Sequence, residues 1–209
     1  MHLHLAVILA IPSAVPREQA VVDIFDRSVS SVAVIYDVKT PVGGPPTVGQ
    51  AEGNGSGFVW DSDGHVVTCY HVLSSSLDGS GVAPGARVAK VLFQAADGSG
   101  KLVLDGTLVG ADKGRDLAVL KVDAPRPLAP LPLGRSDGLR PGQFVLAIGS
   151  PFGFTNSLTG GLISAVGRGF QAQTGSIIAG GIQHDADGEL RPEARLSLCA
   201  WLDVRMARC

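Results

Sequence analysis

The chain has 209 residues, of which 45% are hydrophobic and 17% are charged. This composition is typical of a folded globular protein and excludes a disordered one. The net charge of −2 at pH 7 lacks the basic excess with which proteins bind nucleic acid or an anionic membrane surface. The 28 glycines and 13 prolines indicate many turns, as expected for short strands joined by tight connections.

The N-terminal stretch "MHLHLAVILAIPSAVPREQ" contains an apolar run from Leu5 to Val15 that is too short to cross a bilayer. Two interpretations stay open for this run: the apolar region of a secretory signal, or a frayed N-terminal segment. No Lys or Arg precedes it, which weakens the first. From Pro16 onward, "PREQAVVDIFDR" predicts a short helix with proline in its first turn. We therefore expect no integral membrane segment.

After the helix, the apolar period changes from 3.6 to 2, which predicts β-strands. Six candidate strands occupy residues 30–38, 56–60, 65–72, 86–94, 101–110 and 116–122. The turn at 61–64 ends in Gly64, which supplies a permissive backbone dihedral, and it predicts a β-hairpin. Six short strands at this spacing predict a closed antiparallel barrel.

The second half of the chain shows fewer strand signals. A proline-rich joint at 123–134 is followed by candidate strands at 143–150 and 157–168 and an incomplete third at 175–186. We predict an all-β protein in four parts. They are an N-terminal segment with a short helix (1–27), a complete first β-barrel (28–125), a partial second β-barrel (138–186) and a divergent tail (187–209).

The cysteines and histidines of the sequence show no spacing typical of a metal site. The cysteines, Cys69, Cys199 and Cys209, are odd in number and match no zinc pattern or disulfide framework. The glycine-rich "GNGSGF" at 53–58 lacks the spacing of a dinucleotide-binding loop and is interpreted as a flexible lead into a strand. We therefore predict no cofactor and no metal, with Cys69 as a small strand residue.

His71 and Asp116 are the candidate catalytic residues. A neutral imidazole acts as a base only if a second group fixes its tautomer and stabilises the imidazolium that forms. Asp116 begins the apolar stretch "DLAVLKV", where a carboxylate at the barrel rim can become buried. Taken alone, His71 is better explained as a hydrogen-bonded core histidine and Asp116 as a turn residue at the start of a strand.

Four ordered motifs favour the catalytic interpretation of His71 and Asp116. They are "GSGFVWDSDGHVVTCYHV", "GRDLAVLKV", "LRPGQFVLAIGSPFGFTNSLTGGLISAVGR" and "GIQHDA". Together they resemble the HtrA/Deg (Do-like) serine proteases over residues 17 to about 186, and most resemble the plant chloroplast members. The resemblance implies two six-stranded antiparallel barrels with the active site between them. It also makes His71 the catalytic histidine and Asp116 the catalytic aspartate.

The resemblance implies a cellular role as well. Members of this family are serine endopeptidases of protein quality control that degrade unfolded or damaged proteins and assemble into homo- or hetero-oligomers with Deg relatives. The chloroplast, and within it the thylakoid lumen, is the implied location. The N-terminus is neither Arg-rich nor Ser-rich, so it shows no evident transit segment.

The sequence departs from the family at several positions. Cys69 stands where Asn is common, Ser150 where Gly-Asn-Pro is common, and His184 where Thr is usual. After Ala186 the family continues into Gly-Asn-Ser-Gly-Gly-Pro, which carries the nucleophile, whereas this chain continues "DGELRPEARLSLCAWLDVRMARC". Ser197 is the only serine in this tail and has no glycines around it to form a tight turn.

Two functional interpretations therefore remain. In the first, the chain is a Deg-type serine endopeptidase that lacks its nucleophile segment and is inactive alone. In the second, it is a non-catalytic binding protein or a dominant-negative subunit of Deg oligomers. The abrupt loss of family character after Ala186 suggests a shifted reading frame, a retained intron or an alternative transcript.

Overall fold

A computed structural model describes residues 7–10, 17–38, 51–78, 82–94, 100–149, 157–186 and 197–199. The helices in these ranges are α1 (Arg17–Ser28) and α2 (Ser74–Leu77). The strands are β1 (Val7–Ala10), β2 (Val32–Val38), β3 (Ala51–Val59), β4 (His65–Thr68), β5 (Arg87–Gln94), β6 (Lys101–Asp112), β7 (Leu117–Val122), β8 (Phe144–Gly149), β9 (Ser157–Gln171), β10 (Ile177–His184) and β11 (Ser197–Cys199). None of the described helices is long and apolar enough to cross a membrane.

Six antiparallel strands close into a barrel in the order β2-β3-β4-β7-β6-β5, which confirms the predicted first barrel. The alternating apolar residues of these strands point inward; Ile35, Val59, Val66, Val91 and Leu120 are each at most 1% exposed and share the inner face. Burying such side chains stabilises the fold by roughly 1.5–3 kcal/mol each. Closure also leaves no free edge among the six described strands of this barrel.

The β3–β4 connection forms the hairpin that its turn sequence predicts. Gly64 has a φ of +93°, and a Cβ at this position would lie 2.5 Å from the carbonyl oxygen of Val122. The Trp60 N–H donates to the carbonyl of His65 at 2.8 Å and closes the turn. Glycine is therefore required here both for the left-handed backbone and for the close approach of β7.

The second half forms a sheet in the order β1-β8-β9-β10-β11, which stays open within the described ranges. Its strand β8 lies between two cores. Leu146 and Ile148 belong to the same buried cluster as the first barrel, while Val145 and Ala147 pack in a second cluster. The predicted architecture, a complete first barrel and an incomplete second one, is thus confirmed.

Two sequence predictions need correction. The strand predicted over 65–72 ends at Thr68, and His71–Leu73 forms a 3₁₀ turn. Strand β1 was not predicted: residues 7–10 pair with β8 instead of fraying. Residues 187–196 and 200–209 of the predicted divergent tail lie outside the described residues.

Candidate active site

His71 and Asp116 are in direct contact, as the sequence predicts. The Nδ1 atom of His71 lies 2.7 Å from Oδ2 of Asp116, and the His71 backbone N–H donates to Oδ1 at 2.9 Å. The Asp116 side chain is 1% exposed and that of His71 is 12% exposed. Because an ionised carboxylate only accepts, this contact assigns the proton of the neutral ring to Nδ1 and its lone pair to Nε2.

The position of Asp116 depends on an uncommon backbone conformation. Asp116 has a φ of +56° at the end of the turn before β7. Aspartate is one of the few residues other than glycine that adopt the left-handed region at modest cost. The Tyr70 N–H also donates to the Asp116 carbonyl at 3.1 Å. Backbone and side chain of Asp116 therefore both hold the segment that carries His71.

Gly55 allows the 3₁₀ turn to approach β3. Gly55 is buried, and a Cβ on it would lie 2.5 Å from Cγ2 of Val72, the residue after His71. No side chain larger than hydrogen fits unless the turn moves away from the barrel. The sequence interpretation of this glycine-rich stretch as a flexible lead into the strand is therefore wrong for Gly55, which is a packing residue.

Contacts among three polar side chains connect the segment that carries His71 to the turn that precedes Asp116. Tyr70 donates its hydroxyl hydrogen to Oδ1 of Asp78 at 2.9 Å, and Lys113 Nζ donates to the same oxygen at 2.6 Å. Lys113 also lies 5.4 Å from the centre of the Tyr70 ring, within range of a cation–π interaction. The hydrogen bond from Lys113 lowers the pKa of Asp78. The sequence reading missed this cluster, because only the barrel brings residues 70, 78 and 113 together.

Asp37 anchors α2, the helix that follows the His71 turn. Its carboxylate accepts hydrogen bonds from the Ser76 hydroxyl at 2.5 Å and from the Ser76 backbone N–H at 3.3 Å. The residue is 1% exposed. Burial raises the pKa of Asp37 above its ordinary value of 3.8, although the hydrogen bonds from Ser76 and Ser75 act in the opposite direction.

The raised pKa predicts how Asp37 affects stability as the pH changes. In the folded state the neutral carboxyl is favoured relative to the unfolded state, so this residue contributes most below pH 3.8 and the contribution is lost as the pH rises through its folded pKa. We expect the wild type to become more stable relative to Asp37→Asn, as measured by the free energy of unfolding, as the pH falls from 7 to 4. Urea unfolding of both chains across this range measures it. A difference independent of pH, or one that shifts toward Asp37→Asn at low pH, would contradict the prediction.

A second His–Asp pair lies on the outer face of the barrel. His65 Nδ1 lies 2.7 Å from Oδ2 of Asp61, and the two side chains are 32% and 35% exposed. Asp61 Oδ1 also accepts the backbone N–H groups of Asp63 and His65, and the hydrogen bond from the His65 backbone lowers the pKa of Asp61. These contacts stabilise the hairpin turn, so this pair is a structural one.

Residues 185 and 186 pack against strand β9. Asp185 donates its backbone N–H to the carbonyl of Leu162 at 3.1 Å, and its carboxylate accepts the Leu162 N–H. A Cβ on Gly161 would collide with both Asp185 and Ala186. The glycine in β9 thus allows residues 185–186, the last ones that resemble the family, to lie against the sheet.

Comparison with known proteins agrees with this arrangement. The family model described as "Trypsin-like peptidase domain" matches residues 55–191, a range that contains His71 and Asp116. A solved structure titled "Crystal structure of Deg5" superposes with a TM-score of 0.64 and 37% identity, covering 84% of this chain and 77% of that one. The chain belongs to the HtrA/Deg family of trypsin-like peptidases.

Individual HtrA/Deg relatives are longer than this chain. Protease Do-like 8, chloroplastic, of Arabidopsis thaliana is 47% identical over 174 residues, covering 82% of this chain and 38% of the relative. Protease Do-like 5, chloroplastic, of the same plant is 39% identical, covering 79% of this chain and 52% of the relative. The HtrA-type protease AlgW, solved with a tripeptide, superposes with a TM-score of 0.57 and 32% identity. The chain thus spans between about a third and about half of these two chloroplastic HtrA/Deg relatives.

Proposed function

We propose that His71 and Asp116 are the general base and the orienting carboxylate of an HtrA/Deg serine endopeptidase site. The observation that carries the proposal is the buried Asp116 carboxylate, 2.7 Å from Nδ1 of a partly exposed His71. In this arrangement Nε2 accepts the proton of a serine hydroxyl as the hydroxyl attacks a peptide carbonyl, and Asp116 stabilises the imidazolium that forms. The substrates are unfolded or damaged proteins, as the family membership suggests.

We also propose that a polypeptide of these 209 residues does not cleave peptides by itself. The sequence has no Gly-Asn-Ser-Gly-Gly segment, from which both the nucleophile and the oxyanion-binding N–H groups would come. Ser197 does not replace it, because Ser197 opens the strand β11 and pairs with His184. Backbone N–H groups in a strand point alternately to opposite edges and do not converge on one oxyanion.

One observation favours a second role, as a subunit that binds but does not cleave. The second sheet remains open within the described ranges. An open sheet edge can pair with a strand from another chain. A Deg relative could supply that strand, and the mixed assembly would then contain one subunit without its own nucleophile, which is the dominant-negative case.

An assay of the purified 209-residue chain tests the proposal of inactivity. With casein or another unfolded substrate, we expect no cleavage above that of a His71→Ala variant across the pH range in which the chain stays folded. Losing a triad serine typically lowers turnover by a factor on the order of 10⁶. The residual activity of such variants in other enzymes depends on the oxyanion hole. Cleavage that His71→Ala abolishes would contradict the proposal. Co-purification with a full-length Deg relative would support the second role.

For location, we propose the chloroplast, and within it the thylakoid lumen. The support is that relatives 47% and 39% identical are named as chloroplastic. Import of a fluorescent fusion into isolated chloroplasts, followed by fractionation of stroma and lumen, tests this location. Recovery of the fusion outside the organelle would contradict it.

A further inference from the structure

The Cys69 thiol lies beside the His71–Asp116 pair. The ligand atoms that the three side chains offer, a sulfur, a ring nitrogen and a carboxylate oxygen, all lie within 4.8 Å of one another. Cys69 is 5% exposed and Asp116 is 1% exposed. We propose that Cys69, His71 and Asp116 form a binding site for a thiophilic divalent cation, for which Zn²⁺ is the best fit. The metal site itself does not depend on the proposed protease function.

The distances suit a small tetrahedral ion. Zinc binds sulfur at about 2.3 Å and nitrogen or oxygen at about 2.0–2.2 Å, which places neighbouring ligand atoms about 3.3–3.6 Å apart. Side chains already within 4.8 Å of one another reach those separations by small rotations. Three protein ligands leave the fourth position of the tetrahedron to a water molecule.

The chemistry of the ligands selects the metal. A thiolate and an imidazole favour Zn²⁺ over Mg²⁺ or Ca²⁺, which prefer oxygen ligands only. The charges of a Cys69 thiolate and the Asp116 carboxylate together balance the two positive charges of the ion, with His71 neutral. A buried site with no net charge avoids the desolvation cost that an unbalanced ion would carry.

The backbone around the cluster is already fixed. The His71 N–H holds Oδ1 of Asp116 at 2.9 Å, which leaves Oδ2 as the oxygen that faces the imidazole. The Tyr70 N–H holds the Asp116 carbonyl at 3.1 Å, and the Thr68 hydroxyl donates to the carbonyl of Ser56 at 2.9 Å. Residues on both sides of Cys69 are thus anchored, so little ordering is required when a metal binds.

Binding at this site would change the tautomer of His71. The metal takes the place of the proton between Nδ1 and Oδ2, so that proton leaves and the neutral imidazole takes up a proton on Nε2. The Cys69 thiol loses its proton to solvent, and the balance is one proton released per metal bound. An imidazole protonated on Nε2 has no lone pair there, so the loaded site cannot accept a proton from a nucleophile.

Cobalt(II) is a suitable probe, because bound cobalt reports its ligands by absorption. The parent protein for the test is Cys199→Ser/Cys209→Ser, in which Cys69 is the only cysteine. We expect one equivalent of Co²⁺ to give a thiolate-to-cobalt charge-transfer band and intense tetrahedral visible bands, and one equivalent of Zn²⁺ to abolish both. His2 and His4 cannot produce the charge-transfer band, because they contribute no sulfur.

Variants of the parent identify the ligands. Cys69→Asn, which introduces the residue that is common in the family, and Asp116→Asn are each expected to weaken Zn²⁺ binding at least about 10–100-fold in a chelator competition, since loss of even an outer partner of a ligand costs that much. The matched control is His65→Ala, which removes the outer His–Asp pair and is expected to bind zinc as the parent does.

Two results would overturn the proposal. One is a folded parent that gives no charge-transfer band. The other is equal zinc affinity for Cys69→Asn and His65→Ala. If either ligand variant fails to fold, the cobalt spectrum of the parent decides alone, because its only thiol is Cys69. In parallel, ¹⁵N NMR of the folded parent is expected to show the His71 proton on Nδ1 without zinc and on Nε2 with it.

Discussion

A chimera that regains the nucleophile segment is expected to cleave casein, whereas the 209-residue chain is not. In this chimera, residues 187–209 are replaced by the segment that follows the equivalent Asp-Ala in Protease Do-like 8, up to the end of its peptidase domain. His71 and Asp116 are already in contact, and residues 185–186 already lie against β9. The replacement adds the serine, its oxyanion hole and the remaining strands of the second barrel. A gain on the order of 10⁶ in turnover is expected, the loss typical of removing a triad serine.

Two variants of the chimera test the proposed roles of its own residues. His71→Ala is expected to remove nearly all of the gain, because no other base lies at this position. Asp116→Asn is expected to reduce turnover by about 10⁴, since an amide that keeps the geometry stabilises the wrong histidine tautomer. A folded chimera that cleaves casein equally well without His71 would refute the assignment, as would a folded chimera with no activity.

Leu146→Ala is expected to lower the unfolding free energy of the chain by about 2–5 kcal/mol, the usual cost of removing a large buried aliphatic side chain. Leu146 is 1% exposed and belongs to the second sheet, yet it is part of the buried cluster that contains the apolar residues of the first barrel. The loss is a large fraction of the roughly 5–15 kcal/mol by which domains are stable. We therefore expect this substitution to reduce hydrogen-exchange protection in β2–β7 as well as in β8. Urea unfolding and amide exchange measure the two effects.

Ile163→Ala is the matched control for Leu146→Ala. Ile163 is also 1% exposed, but it lies in the second cluster, with Val145 and Ile182. Its loss is expected to reduce protection in β8–β10 and to leave the first barrel unchanged, because we expect residues 17–125 to form the more cooperative unit. The open sheet buries less apolar area and should exchange faster in the wild type as well. Equal effects of the two substitutions on the first barrel, or equal protection in both halves, would contradict this prediction.

The sequence was most informative where its signals are local. Period-2 alternation and the turn at 61–64 predicted the barrel and its β3–β4 hairpin, because each strand buries one face and each turn type needs particular residues. The prediction was less accurate at the ends of elements. The strand predicted over 65–72 stops at Thr68, since the apolar pattern continues through the 3₁₀ turn, whose Val72 and Leu73 are also buried. Periodicity alone does not separate these two cases.

The sequence by itself determined the closed antiparallel barrel, the family resemblance and the choice of His71 and Asp116 as the candidate pair, because these follow from apolar period and from short motifs. Only the tertiary structure decided that Cys69 lies within 4.8 Å of that pair, that Val72 packs against Gly55 and that Leu146 shares a buried cluster with the first barrel. Each of these contacts joins residues that are not neighbours along one element. They depend on strand register and barrel closure, and a slip of one residue in a strand would turn each of its side chains to the opposite face.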